Sequence, residues 1–538
     1  MTVFRALLVI TLSVMTACSG GERRVEQGTR DGILHFGNGT EPQGVDPHTT
    51  TGVPEHHIEQ ALFEGLVGKD PETLAPVPGV ADRWEISADG RVYRFHLREN
   101  ARWSNGEAIT AEDFRWSWWR GLQPALGNEY AYMLYPIRNA EAYATGKLTD
   151  FSQVGVRVID PHTLEIELTA PTPYFMQLLD HESMFPVPRK VIEKFGTPVD
   201  RFSQWTRPGN MVSNGPFRLT EWKLYKYVRL EKNPYYWDAA NVKLNGIVFY
   251  PTENTITEER LFRSQQLHVT SSIPLDKIPV YRADRPDELR VDPYLGSYYY
   301  MINVKRPGLN DARVRRALAM AIDRDSLIKN VLDGVNFPAY SMTPPGTAGY
   351  QPPILFKFDP EGARKLLADA GYPGGKGLPK IEILYNTNEA HRKIAVALQQ
   401  MWKTNLNIDV TMLNQEWKVY LDSRDSLDYS VARAAWIGDY VDPDTFLNMW
   451  ITGGGNNDTG WSNAEYDDLI LHKIPAMHTQ EERFAGFTRA ETILMQEMPI
   501  IPIYIYSTKY LIHPSVKGMP TNLLDYYAFK HIHLEPET

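Results

Sequence analysis

Strand-like and helix-like segments alternate along nearly the whole 538-residue chain, and this alternation limits its fold more than any other feature. Residues 92–97 (VYRFHL) and 163–168 (TLEIEL) alternate apolar and polar positions, as half-buried strands do. Apolar residues at helical spacing occupy 390–406, between strand-like segments at 381–385 and 408–413. Such alternation predicts an α/β fold, and the length allows two to four domains.

The first residues form a separate unit. An apolar run over 6–14 follows Arg5 and leads into Met15-Thr16-Ala17-Cys18. The run is shorter than the roughly 20 residues that a membrane-spanning helix needs, but it fits the core of an export signal. We therefore predict a signal peptide over residues 1–17, with a buried N-terminal helix as the alternative.

Cys18 is the only cysteine, so the monomer cannot form an internal disulfide. The small residues before it resemble a bacterial lipobox, in which the cysteine is acylated, although Met15 stands where leucine is usual. We predict a lipid on Cys18 and a polar, flexible linker over 18–31, with the folded body beginning at residue 32. Which membrane holds the lipid, inner or outer, is left open.

Charge and motifs exclude several functions. The net charge of -10 argues against a nucleic-acid partner, because phosphate binding needs a cationic surface. The sequence contains no G-x-S-x-G elbow, H-E-x-x-H helix or P-loop. Its histidine pairs are too sparse to predict a metal site. We therefore predict no catalytic centre, no metal and no cofactor, and an exported peptide hydrolase is the weaker alternative.

Nine short motifs carry more specific information. They are DPH at 46–48, GVPE at 52–55, LFEGL at 62–66, FHLR at 95–98, DPY at 292–294, ND-x-RVR at 310–315, LYNT at 384–387, NQEW at 414–417 and VARAAWIGDY at 431–440. Together, and in this order, they resemble the periplasmic oligopeptide-binding proteins of ABC importers, a group within extracellular solute-binding protein family 5. The resemblance extends from about residue 33 to about residue 530.

The resemblance implies a periplasmic binding protein-like fold of type II, cluster C, in which a two-lobed clamp carries an additional domain. Domain I would comprise 32–64, 189–290 and 507–538. Domain II would cover 65–188 and domain III 291–506, with the ligand cleft between domains I and III.

The same resemblance implies a function. The protein would capture short peptides in the periplasm through their free amino terminus and backbone, and deliver them to the permease subunits of an ABC importer. It would act as a monomer held to a membrane by its lipid. The alternative within this class is a specialised solute, namely a murein peptide, nickel or haem.

The resemblance also implies four residues that hold the peptide by its amino terminus and its backbone. Asp439 matches the family aspartate that pairs with the peptide α-amino group; in isolation it would be interpreted as a turn residue. Ala435 and Ile437 match positions whose main chain pairs with the ligand, as does Val53 from the opposite lobe. A peptide added as a strand would supply these hydrogen bonds, although the segment around Ala435 would look the same as a wholly internal strand.

The remaining predicted contacts are cationic and aromatic. Arg433, Arg424 and His391 match positions that receive the carboxyl termini of ligands of different length, and Arg306 stands where the family often has lysine. A guanidinium suits this role because it binds a carboxylate through two hydrogen bonds. The alternative for each is an ordinary surface charge. The aromatic residues expected to line side-chain pockets are Trp417, Trp436 and Tyr130.

Overall fold

The computed structural model describes residues 23–477 and 479–536. The predicted signal peptide and Cys18 lie outside these residues. Among the helices described, none is both long and apolar enough to cross a bilayer.

The α-helices and strands alternate as the sequence predicts. The helices are α1 Arg24–Asp31, α2 Val53–Leu62, α3 Ala111–Gly121, α4 Ala140–Ala144, α5 Phe175–Leu178, α6 Arg189–Phe195, α7 Thr255–Arg263, α8 Ile278–Asp284, α9 Ala312–Met320, α10 Arg324–Val331, α11 Pro360–Asp369, α12 Glu389–Leu406, α13 Trp417–Asp425, α14 Asp444–Leu447, α15 Ala464–Asp468 and α16 Gln480–Glu497. The strands are β1 Ile33–Gly37, β2 Val67–Lys69, β3 Pro76–Pro78, β4 Ala81–Ile86, β5 Val92–Leu97, β6 Val156–Asp160, β7 Thr163–Glu167, β8 Phe217–Lys223, β9 Tyr227–Lys232, β10 Gly246–Tyr250, β11 Leu289–Ile302, β12 Phe337–Pro338, β13 Ile381–Asn386, β14 Val410–Gln415, β15 Val431–Ile437, β16 Ile500–Leu511, β17 Val516–Lys517 and β18 His533–Leu534.

Three sheets organise the chain. We call the sheet β1-β10-β9-β8 with its helices the first lobe, and the sheet β4-β5-β7-β6 with its helices the second lobe. The third lobe is built on the sheet β12-β16-β11-β15-β13-β14. The exact domain boundaries given above stay a prediction.

The first and third lobes are joined through the long strands β11 and β16. These two strands pair from Leu289 with Leu511 to Met301 with Ile500, and the register breaks between Pro293 and Ser297. An irregularity of this kind bends a ladder and increases its local twist. The paired strands thus form a bent connection, which the Thr270 N–H of the first lobe joins by donating to the Leu511 carbonyl at 2.9 Å.

The second and third lobes share one continuous core. Met133 and Leu178 of the second lobe belong to the same buried cluster as Tyr440 and Leu447 of the third lobe. The other face of the third-lobe sheet and the interior of the first lobe each form a cluster of their own. The second and third lobes are therefore packed against each other.

Helix α1 corrects the predicted linker. Val25 is buried and its N–H donates to the Gln265 carbonyl at 3.0 Å, while Thr29 Oγ1 lies 3.2 Å from His268 Nε2. The prediction of a flexible linker up to residue 31 is wrong from residue 24 onward. Its mostly polar composition concealed one narrow face, with Val25 and Gly28, that packs on the first lobe.

Candidate functional site

A cavity of about 380 Å³ lies where the three lobes meet. Most of the predicted site residues line it. These are Val53, Tyr130, Trp417, Arg424, Arg433, Ala435, Trp436, Ile437 and Asp439. Their convergence defines the candidate site, and their roles toward a ligand stay predictions.

Strand β15 presents an unpaired edge at this cavity. Its partner β13 pairs with it only at Val431 and Ala432. On the other side the Gly438 N–H donates to the Leu295 carbonyl of β11 at 2.7 Å. Because alternate residues of a strand direct their main-chain groups to opposite edges, Ala435 and Ile437 direct theirs away from β11, beyond the end of the β13 pairing. The main chain here is open to an added strand.

Asp439 follows directly after this edge. Its side chain is 14% exposed, and its carboxylate lies 3.6 Å from His181 Nε2. Thr445 holds the segment: its hydroxyl accepts from the Asp439 N–H at 3.1 Å and donates to the carboxylate at 3.4 Å. A fixed carboxylate with remaining acceptor capacity can receive an ammonium group.

Residues of the first and second lobes that the sequence did not single out lie around Asp439. The Lys69 ammonium lies 3.2 Å from the Asp180 carboxylate and donates to the Asp439 carbonyl at 3.5 Å. His56 Nδ1 of the first lobe lies 2.9 Å from Glu182. Although burial opposes it, Glu182 raises the pKa of His56 above its ordinary value. The amino-acid sequence carries no local signal for this network, because its members come from distant segments.

Arg433 of β15 is a buried cation that lines the cavity. It is 8% exposed, and its guanidinium donates to the Tyr506 hydroxyl at 2.9 Å and to Asn386 Oδ1 at 3.3 Å. It also lies 4.8 Å from the ring centre of Tyr298, and its Nε has no hydrogen-bond partner among the described residues. All of these partners are neutral, so the charge is available to an anionic ligand group.

Arg424 differs from Arg433 because it has an internal counter-ion. Its guanidinium lies 2.7 Å from the Asp458 carboxylate, which is itself buried. Two further acids, Glu129 and Asp425, lie nearby. Burial and repulsion from Asp425 and Asp458 raise the pKa of Glu129 to about 8.

The predicted aromatic residues form walls of the cavity. The rings of Tyr130 and Trp436 are 5.9 Å apart, and Tyr130 lies 4.4 Å from the His181 ring. Trp417 stacks on Tyr420 at 5.5 Å on the third-lobe side. Flat apolar surfaces of this kind accept side chains of varied shape.

Two predicted residues are not brought to the cavity wall. His391 is buried behind Tyr298, with Nδ1 3.4 Å from the Tyr298 hydroxyl; burial, reinforced by Arg433, lowers its pKa well below the ordinary value. It is thus a neutral group and not the expected cation. Arg306 lies at the surface, where it pairs with Asp428 at 3.1 Å.

Contacts between the second and third lobes close the cavity. Tyr174 stacks on Tyr440 with ring centres 4.9 Å apart, and Gln177 Oε1 accepts from the Val441 N–H at 3.1 Å. At Gly455 a Cβ atom would lie 2.4 Å from the Cα of Glu129, so this approach requires glycine. The structure is therefore a closed form of the protein.

Comparison with known proteins identifies the family. Residues 75–458 match the family model described as bacterial extracellular solute-binding proteins, family 5 Middle. The chain belongs to this family. It is 40% identical over 490 residues to the periplasmic oligopeptide-binding protein OppA of Salmonella typhimurium, covering 89% of this chain and 88% of that protein. The members of this family are solute-binding proteins, and the family resemblance predicted from the sequence is confirmed.

Solved structures confirm the predicted fold and the closed state. The Haemophilus influenzae OppA complex with the peptide RPPGFSPFR is 35% identical, with a TM-score of 0.88 over 94% of this chain and 99% of that chain. The unliganded open form of the murein tripeptide-binding protein MppA is 36% identical but gives a TM-score of only 0.62 over 94% and 97% of the two chains. The lobes are thus arranged as in the peptide complex.

Proposed function

We propose that this protein captures short peptides in the cavity between its lobes and delivers them to the permease of an ABC importer. One observation carries the proposal: a free strand edge on β15 lies between the Asp439 carboxylate and the uncompensated Arg433 cation. A peptide offers the matching groups, namely an ammonium, a row of amides and a carboxylate.

The backbone supplies the common part of recognition. Ala435 and Ile437 of β15 offer main-chain donors and acceptors, and Val53 adds an N–H at the first turn of α2, where helical N–H groups lack internal partners. Adding the ligand as a strand makes binding independent of its side chains. The aromatic walls then accept many side chains.

The resemblance to oligopeptide-binding relatives favours general peptides over a specialised solute. Among the described residues, no three or more His, Cys, Asp or Glu side chains are grouped to hold a metal ion. A peptide hydrolase would need a nucleophile or metal that the sequence motifs do not supply.

We also propose export and anchoring. Residues 1–17 serve as a signal peptide and Cys18 carries the lipid, so that the linker to α1 is only 18–23. Relatives described as periplasmic support the periplasm as the compartment. Mass spectrometry of the mature protein tests this: an acylated Cys18 as first residue is expected, and an unmodified Cys18 would contradict it.

The amino-terminal anchor gives the decisive test. Breaking a buried charge pair costs about 3–5 kcal/mol, so Asp439→Asn should weaken binding of a free tetrapeptide by roughly a hundred- to several-thousand-fold. N-acetylation of the peptide should weaken binding to the wild type similarly. Calorimetry of the acetylated peptide with Asp439→Asn should show little loss of affinity beyond that of either change alone, because both changes remove the same contact. If the two losses of affinity add fully, the peptide amino group binds at a position other than Asp439.

A further inference from the structure

A turn in the C-terminal segment brings a second carboxylate to the cavity. Asp525 lines it together with Leu524, Tyr526 and Tyr527. The Asn522 side chain holds the turn: its Oδ1 accepts from the Leu524 N–H at 3.1 Å and from the Tyr526 N–H at 3.0 Å. The same side chain donates to the Pro71 carbonyl at 3.1 Å. The position of Asp525 is thus fixed from outside the cavity.

The main chain of Asp525 has a φ of +52°, a conformation that residues other than glycine seldom adopt. Aspartate tolerates it better than most side chains, because its short polar group can bond locally. The Leu295 N–H of β11 donates to the Leu523 carbonyl at 2.7 Å, which docks the turn on the bend of that strand. Backbone strain kept in this way often marks a functional position.

The Asp525 carboxylate has a hydrogen-bond donor but no counter-ion in the part of the chain that the structure describes. The Tyr527 hydroxyl donates to Oδ1 at 2.5 Å. Among the described residues no Lys, Arg or His forms an ion pair with Asp525, and His56 acts on it only through space. Burial, together with repulsion from Asp292, raises its pKa to about 7. A half-buried carboxylate of this kind is stabilised by a cation that a ligand brings.

Asp525 shares the cavity with Tyr294 and with the proposed amino-terminal anchor, Asp439. Burial raises the pKa of Tyr294 well above the ordinary value, and the nearby carboxylates of Asp525 and Asp439 both add to the shift. A lysine or arginine side chain near the peptide amino terminus can reach a second carboxylate of this cavity, because it carries its charge on a long flexible stem.

We propose that Asp525 is a specificity-determining residue that receives the lysine or arginine side chain of a peptide carrying one among its first three residues. The proposal rests on the peptide-binding function above. It assigns the α-amino group to Asp439 and a side-chain cation to Asp525. The two carboxylates therefore predict different responses to a peptide series.

Calorimetry with tetra-alanine and its variants carrying one lysine or one norleucine at position 1, 2 or 3 tests this assignment. Norleucine is the matched neutral side chain. In the wild type, at least one lysine peptide should bind about tenfold more tightly than its norleucine counterpart, the value of a charged hydrogen bond. In Asp525→Asn that ratio should fall to about one, while norleucine peptides keep their affinity.

The control is Asp292→Asn, which removes a neighbouring negative charge on a residue that does not line the cavity. It should leave the lysine preference within about twofold of the wild type. In Asp525→Asn the new amide tolerates the same backbone conformation and its oxygen can accept from Tyr527, so an unchanged melting temperature is expected.

Three outcomes overturn the inference. One is a lysine preference retained in Asp525→Asn, and another is no lysine preference in the wild type. The third is an equal loss for lysine and norleucine peptides, which would make Asp525 a second anchor for the amino group. Binding of norleucine peptides to the wild type tests the proposed peptide-binding function by itself. If they bind, that function stands whichever of the three outcomes is found for Asp525.

Discussion

Arg424 and Arg433 line the same cavity but lie in opposite electrostatic surroundings. Arg424 is neutralised within the protein by Asp458, with further acids close by. Arg433 contacts Asn386, Tyr506 and the ring of Tyr298, all uncharged. The difference shows that a buried arginine in a binding cavity serves either the fold or the ligand, and that its counter-ion distinguishes the two.

The largest expected effect is on stability. Arg424→Met should lower the free energy of unfolding by about 3–5 kcal/mol, because it leaves the buried Asp458 carboxylate unpaired. Urea denaturation measures this. Adding Asp458→Asn to Arg424→Met should restore most of the lost free energy of unfolding. A single variant as stable as the wild type would remove the distinction between the two arginines.

Arg433→Met should have the opposite profile. The ligand-free protein should be as stable as the wild type or more so, because a buried charge without a counter-ion is lost. Affinity for free tripeptides should fall about 30-fold or more, because loss of a buried ion pair with the peptide carboxylate removes about 2 kcal/mol or more of binding free energy. Peptide amides, which lack the carboxylate, should bind both proteins alike. Equal losses for acids and amides would contradict this role.

The smallest effect concerns pH. Glu129 of the second lobe faces Asp425, Asp458, Arg424 and Arg201, and its pKa of about 8 in the closed form exceeds the ordinary 4.5. The closed form therefore binds this proton more tightly, and closure weakens as pH rises from about 5 to about 8. We expect peptide Kd to rise about three- to tenfold over this range, since partial exposure screens the effect.

Glu129→Gln provides the comparison for that pH series. It removes the titrating group at the contact between the lobes and keeps the side-chain shape. The remaining pH dependence then belongs to other groups, including His56. If the peptide Kd of Glu129→Gln changes with pH in parallel with that of the wild type, groups other than Glu129 cause the whole pH dependence.

Local sequence signals predicted much of the secondary structure. Strand β5 has the predicted bounds 92–97, β7 covers 163–167 of the predicted 163–168, and α12 contains the whole predicted helix 390–406. These predictions rest on neighbours in the chain, through apolar residues at strand or helical spacing. The family motifs added the fold and most of the cavity lining.

Properties that depend on distant partners could not be predicted. The contact of His181 with Asp439 joins two lobes that are far apart in sequence. His391 has a lowered pKa because it is buried next to Arg433, and Arg306 pairs with Asp428 at the surface. In each case tertiary packing sets the charge environment, which residue type alone does not encode.

Arg433 has no counter-ion among the described residues, and this affects which molecules of the protein can deliver a peptide. Closing an empty cavity removes water from a charge that nothing then neutralises, whereas a bound peptide carboxylate supplies the neutralising group. Vacant molecules therefore favour the open shape and loaded ones the closed shape. A permease that binds only the closed form would therefore bind mainly protein that carries a peptide. Empty protein would not compete for its binding surface.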